Sequence, residues 1–185
     1  MRVFVAIPVA GLVEEALREV LGRYRSEDWP VKWARPDGLH LTVKFLGAVE
    51  PERLVEIEGA LGGASVGTPA LPFSLVELGA FPGFARARVI WAGLESGAAL
   101  ELLVDRVERA CASLGFPLEG RPFRPHVTLG RVREGARLPA SAIQALEHTA
   151  MPAASYVADR MVLYESKTGP GGSAYVVRAT FPLGA

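Results

Sequence analysis

His40-Leu41-Thr42-Val43-Lys44 returns in the second half of the chain as His126-Val127-Thr128-Leu129-Gly130. Each copy reads histidine, aliphatic, threonine, aliphatic, in a setting rich in strand-forming residues. Successive side chains of a strand point to opposite faces. His40 and Thr42 therefore share one face while Leu41 and Val43 enter a core, and His126 and Thr128 repeat this with Val127 and Leu129 inward. A lone His-x-Thr arises readily by chance, and a single strand histidine is commonly structural. Two copies in opposite halves, using two of only three histidines, are a much stronger signal.

The pairing suits phosphodiester chemistry. Cleavage removes one proton from the attacking oxygen and delivers one to the leaving oxygen. Histidine is the side chain that does both near neutral pH. Threonine hydroxyls can donate to the non-bridging oxygens, where charge gathers.

Around these two strands the chain reads as many short elements. Residues 2–7 form a strand ended by Pro8, and residues 11–25 carry Leu12, Ala16, Leu17, Val20, Leu21 and Tyr24 at helical spacing. Residues 29–33 are a short extended or loop piece. Residues 39–46 form the first motif strand, closed by Gly47, and 51–61 a helix opened by Pro51. Strands follow at 73–78 and 87–92, a helix at 98–114, the second motif strand at 125–131 and a short helix at 139–148. Strands at 156–164 and 174–181 finish the set, separated by the turn Gly169-Pro170-Gly171-Gly172. Alternating strands point to antiparallel sheets, and the fold class is α+β.

Composition narrows the function. With 185 residues, half of them hydrophobic, the chain fits one domain or two small lobes sharing a cleft. The net charge is zero, which argues against holding long nucleic acid by bulk electrostatics but leaves room for an RNA end or a nucleotide. The one cysteine, Cys111, lies in a helical pattern beside Val104 and Val107 and reads as a buried thiol. Three histidines and one cysteine without ligand spacing give no metal site, and no P-loop appears. No apolar run is long enough to span a membrane, and the opening is too short for a signal segment, so a cytoplasmic location is expected. No protein partner is evident.

The stretches His40-Leu41-Thr42-Val43-Lys44-Phe45-Leu46-Gly47 and Arg121-Pro122-Phe123-Arg124-Pro125-His126-Val127-Thr128-Leu129-Gly130-Arg131 resemble the paired signatures of the 2H phosphoesterase superfamily. Within it the similarity is to the RNA 2′,3′-cyclic phosphodiesterase family, also called 2′-5′ RNA ligase. The opening strand, Arg88-Val89-Ile90-Trp91 and Leu163-Tyr164-Glu165-Ser166 fall where that family has similar pieces, so the resemblance covers essentially the whole chain. It implies a single bilobal domain over 1–185: two pseudo-symmetric lobes, each an antiparallel sheet with outer helices, with the motifs lining a central cleft. It implies hydrolysis of a 2′,3′-cyclic phosphate to a 2′-phosphate, reversible 2′-5′ joining of RNA ends, and no cofactor. The partners implied are RNA ends or small cyclic nucleotides.

His40 and His126 are thus the candidate catalytic pair, with Thr42 and Thr128 on the phosphate. His126 is assigned as base and His40 as acid, although pseudo-symmetry equally allows the reverse. Lys44 and Arg124 share the parity of their histidines and are candidate phosphate ligands. Arg131 matches the arginine that often closes the family's second motif, but simple alternation turns it away from His126, so it needs a bulge to reach the site. Phe123 and Tyr164 are candidates for stacking on a base. Trp91 reads as core, Trp29 and Trp33 as a hydrophobic rim, and His148 as surface. The competing reading is a nucleotide- or RNA-end-binding module without turnover. Two intact motifs favour the enzyme, and replacing either histidine separates the two.

Overall fold

The computed structural model describes residues 1–170 and 172–184, so Gly171 of the expected glycine-rich turn lies outside the described residues. In chain order the elements are β1 (Arg2–Pro8), α1 (Gly11–Tyr24), β2 (Val31–Trp33), β3 (His40–Ala48), α2 (Leu54–Ser65), β4 (Leu71–Phe81) and β5 (Val89–Glu95). Then come α3 (Ala98–Ser113), β6 (His126–Val132), α4 (Ala140–Glu147), β7 (Ser155–Ala158), β8 (Arg160–Gly169) and β9 (Gly172–Pro182). The strands form one sheet in the order β7-β4-β5-β6-β3-β1-β8-β9, with β2 added on β6. All its pairings are antiparallel. The class is α+β, as the alternation predicts.

The sheet is two lobes built to one plan. In one, β1 pairs with β3 and β8, and β9 adds to β8. In the other, β5 pairs with β6 and β4, and β7 adds to β4. They meet where β3 touches β6 at a single residue pair, Leu41 with Val127. Two of the helices are exchanged between lobes. α1 leaves β1 but packs against β7, whereas α3 leaves β5 but packs against β3. α2 packs on β9 and α4 on β4.

The helical periodicity of α1 places Val13, Leu17, Val20 and Leu21 in the core, while Leu12 is exposed. Ile57, Leu61 and Leu103 on the other helices are fully buried beneath the sheet. Each such side chain contributes about 1.5–3 kcal/mol on burial. Leu41, Val43, Val127 and Leu129 meet them from the sheet side, so the aliphatic residues of both motifs are core, as alternation requires.

Two departures from the expected elements matter. The strand read over 156–164 is two strands: the chain leaves the edge of β4, breaks at Asp159 and re-enters beside β1 in the other lobe. Hydrophobic alternation continues through the break, because it records burial and not the identity of the neighbouring strand. Both motif strands also carry a bulge at the same place. On β3 the partners jump from Thr42 to Lys44, and on β6 from Thr128 to Gly130. A bulge sets two residues against one and inverts the alternation beyond it.

Gly130 shows why the bulge on β6 has its sequence. A Cβ there would lie 2.7 Å from Val31 Cγ1 and 2.8 Å from Trp33 Cε3, so β2 can lie this close only over glycine. Gly130→Ala is expected to lower stability by about 1–3 kcal/mol, the usual cost of overpacking. Urea unfolding checks it, and an unchanged midpoint would mean that β2 gives way freely.

Candidate active site

The face of the sheet opposite the core carries His40, Thr42, His126 and Thr128. Leu41 and Val127 are paired and point inward, so the residues on either side of each point outward. The antiparallel sense then brings His40 level with Thr128, and His126 level with Thr42. All four are half-buried. One histidine and one hydroxyl from different strands thus form each half of the site.

The two imidazoles are held alike. His40 Nδ1 lies 2.7 Å from the Gly38 carbonyl, and His126 Nδ1 lies 2.7 Å from the Arg124 carbonyl. A carbonyl only accepts, so each Nδ1 carries the proton and each Nε2 is left free for proton transfer. Each ring is also braced by an aromatic edge. Tyr175 stands T-shaped to His40 at 5.1 Å, and Phe81 stands T-shaped to His126 at 5.2 Å. Phe4 lies 4.9 Å from His40, and Trp91 lies 6.3 Å from His126.

Burial against Phe4, Tyr164 and Tyr175 pushes the His40 pKa below its ordinary value, and the bond to Gly38 pulls the other way. The neutral imidazole is favoured. In the unfolded chain His40 gains its proton near 6.5, but in the fold it gains it only at lower pH. The associated stability is complete above 6.5 and is lost as pH falls through the folded value. A pH titration of the His40 ring by NMR should therefore give a midpoint below 6.5. A midpoint at or above that value would contradict the aromatic shielding.

The bulges re-sort the remaining candidates. Beyond the bulge Lys44 turns to the helix side. Its Nζ donates to Glu108 Oε2 at 2.7 Å and to the Pro117 carbonyl at 2.8 Å, beneath the sheet. The expected phosphate contact from Lys44 is therefore corrected: it is a buried ion pair that fixes α3 to β3, and Phe45 takes its place on the outer face. The same inversion on β6 carries Arg131 onto the face of His126, where its charge acts on Tyr175 against the effect of burial. Arg124 is exposed ahead of β6 and holds His126 through its carbonyl.

Tyr164 lies on the outer face, stacked 5.4 Å from Phe4. Phe123 is half-buried and packs against the core. Trp91 is corrected from core to the outer face, since its neighbours Ile90 and Ala92 are the buried ones. It lies flat over Gly79, where a Cβ would come within 2.2 Å of the indole. Trp29 and Trp33 stack with Tyr24 against the core. His148 is exposed, bonded to the Gln144 carbonyl. Burial raises the Cys111 thiol to about 11, which leaves it inert.

Sequence reasoning missed Phe4, Phe81 and Tyr175. Phe81 read as loop, and the outer-face position of Tyr175 depends on a register shift with no local sequence signal, while Phe4 simply alternates with the core residues Val3 and Val5. Among the described residues no group of three His, Cys, Asp or Glu side chains gathers to hold a metal. None of the described helices is long and apolar enough to cross a membrane.

The chain matches the family model for LigT-like phosphoesterases over residues 7–91 and 94–175. A Geobacillus stearothermophilus protein named RNA 2′,3′-cyclic phosphodiesterase is 34% identical over 97% of this chain, which spans 56% of that protein's length. A Thermotoga maritima protein of the same name is 29% identical over 96% of this chain and 92% of its own. The crystal structure of E. coli LigT complexed with 3′-AMP superposes with a TM-score of 0.76, at 25% identity, over 98% of this chain and 97% of that one.

Proposed function

The chain belongs to the LigT-like phosphoesterase family, and on that premise we propose that it hydrolyses 2′,3′-cyclic phosphates at RNA ends or on nucleotides to 2′-phosphates. The observation that carries the reading is the matched pair of imidazoles. Each is locked with Nε2 free, each is level with a threonine of the other strand, and all four residues share one face. The relatives' names and the nucleotide held by the E. coli structure support the substrate class.

In the reaction one neutral imidazole takes a proton from water as its oxygen attacks phosphorus. The bond from phosphorus to the ribose 3′-oxygen breaks, and the second, protonated imidazole gives that oxygen a proton. Thr42 and Thr128 donate to the non-bridging oxygens, and Arg131 balances their charge. Tyr164 and Tyr175, with Phe4 behind them, offer a surface for the base. With a 5′-hydroxyl of RNA in place of water, the same proton transfers make a 2′-5′ linkage.

The shielded, neutral state of His40 suits a base, so we give His40 that part and His126 the acid's, reversing the order read from sequence. A leaving group that needs no proton separates the two. With a nitrophenyl phosphodiester, His126→Ala should recover most of its lost rate and His40→Ala should not. Recovery in His40→Ala alone would restore the first order.

The substrate class is tested by incubating the protein with a panel of 2′,3′-cyclic nucleotides and cyclic-phosphate-ended RNA and identifying the products. The expected product is the 2′-phosphate in each case. Stoichiometric binding of the panel with no turnover would instead establish a binding module.

A further inference from the structure

Although the chain as a whole is electrically neutral, its cations are unevenly spent. Among the described residues the nine ion pairs use Arg18, Arg23, Arg35, Lys44, Arg53, Arg109, Arg121, Arg160 and Arg178. Lys32, Arg86, Arg88, Arg131, Arg133 and Arg137 are in none of them. These six lie together where β6 ends and β2 and β5 begin. Lys32 is the cross-strand partner of Arg131, and the Val132 N–H donates to the Arg88 carbonyl at 3.0 Å. Like charges set opposite each other on neighbouring strands destabilise a sheet, and an anion lying over them offsets that.

The same end holds a cavity of about 380 Å³ lined by Arg86, Arg88 and Arg137 above Ala87 and Leu138. Ala87 and Leu138 are buried and form an apolar floor, while the three arginines are exposed. Arg88 is fixed by donating to the Ala136 carbonyl at 3.0 Å. The cavity is tied to the active site through the backbone. The Arg88 N–H donates to the carbonyl of Phe81, the residue whose ring braces His126. Three fixed or neighbouring guanidinium groups without carboxylate partners match phosphate oxygens in charge and in donor geometry.

We propose that this arginine-lined cavity holds the phosphate backbone of the RNA strand upstream of its cyclic end. The inference rests on the hydrolase reading above and adds to it the path of the strand. Lys32, the outer-face partner of Arg131, takes the phosphate next to the reacting one. The cavity takes those further along. Six local cations suffice for a short single strand, although the neutral whole would not attract long nucleic acid.

The test measures binding of a short single-stranded RNA ending in a 2′-phosphate, by fluorescence anisotropy over a range of salt. Arg86→Ala/Arg137→Ala should weaken binding about tenfold or more at low salt. It should also flatten the slope of log affinity against log salt by about 1.4, since each lost contact to single-stranded RNA removes roughly 0.7. Arg18→Ala/Arg109→Ala carries the same net charge change on the helices and should bind as the wild type does. Turnover of a 2′,3′-cyclic mononucleotide by Arg86→Ala/Arg137→Ala should stay at the wild-type rate.

Unchanged affinity and slope in Arg86→Ala/Arg137→Ala would overturn the proposal. So would equal weakening by the control pair, or a matching loss of mononucleotide turnover. Failure of the hydrolase reading looks different: the wild-type protein then turns over no cyclic phosphate at all, while the binding arm still reports on the cavity.

Discussion

Replacing either histidine with alanine is expected to lower kcat/KM for a 2′,3′-cyclic nucleotide by about 100- to 10,000-fold, the range for losing one positioned general acid or base. His40 and His126 come from different lobes, yet both Nε2 atoms open on the same face, and no other histidine stands there. His148, the third, is on the exposed end of α4. The two proton transfers belong to one transition state, so the double variant should be little worse than the weaker single one. Neither ring is in the core, and both variants should fold. Near-normal turnover by either would remove that residue from the reaction, and additive losses would mean that the two act in separate steps.

The second large effect concerns the hydroxyls. Thr42→Val and Thr128→Val keep the branched shape that suits a strand and remove the donor. A donor aimed at a developing oxyanion contributes roughly 2–4 kcal/mol to the barrier. Each variant should lose about 10- to 1,000-fold in kcat, and the double variant should lose more, since the hydroxyls come from different strands. The shape of the pH profile should survive, because the titrating groups remain. Steady-state turnover with circular dichroism as the check on folding measures this. Wild-type rates in both single variants would assign the threonines to strand structure alone.

Much of this site was legible in the sequence because its decisive feature is local. Histidine and threonine two apart on a strand share a face whatever the rest of the chain does, and the paired aliphatics had to be core. The α+β class followed from the alternation of short strands with amphipathic helices. What failed to show were the consequences of pairing. A bulge on β3 and its counterpart on β6 invert the parity beyond each motif, so Lys44 left the outer face and Arg131 reached it. A sequence states which residues alternate but not where a partner strand skips one.

The break at Asp159 has the same origin. Tyr156, Ala158, Met161 and Leu163 are all buried, but the first two lie on a strand paired with β4 and the last two on a strand paired with β1. The exchange of α1 and α3 between lobes also left no mark, since an amphipathic helix does not specify which sheet it covers. The aromatic supports of the histidines come from β1, β4, β5 and β9, distant in sequence, and only the assembled sheet collects them.

The central claim is that His40 and His126 act as one acid–base pair on a single phosphate, and the pH dependence of kcat/KM tests it most directly. The wild-type profile for a 2′,3′-cyclic nucleotide should be bell-shaped, with one limb for the group that must be neutral and one for the group that must be protonated. The residual activity of His40→Ala and of His126→Ala should each keep only a single limb, and the limb lost should differ between the two variants. Two intact limbs in either variant would show that the histidine removed was not one of the titrating pair, and the account would be wrong.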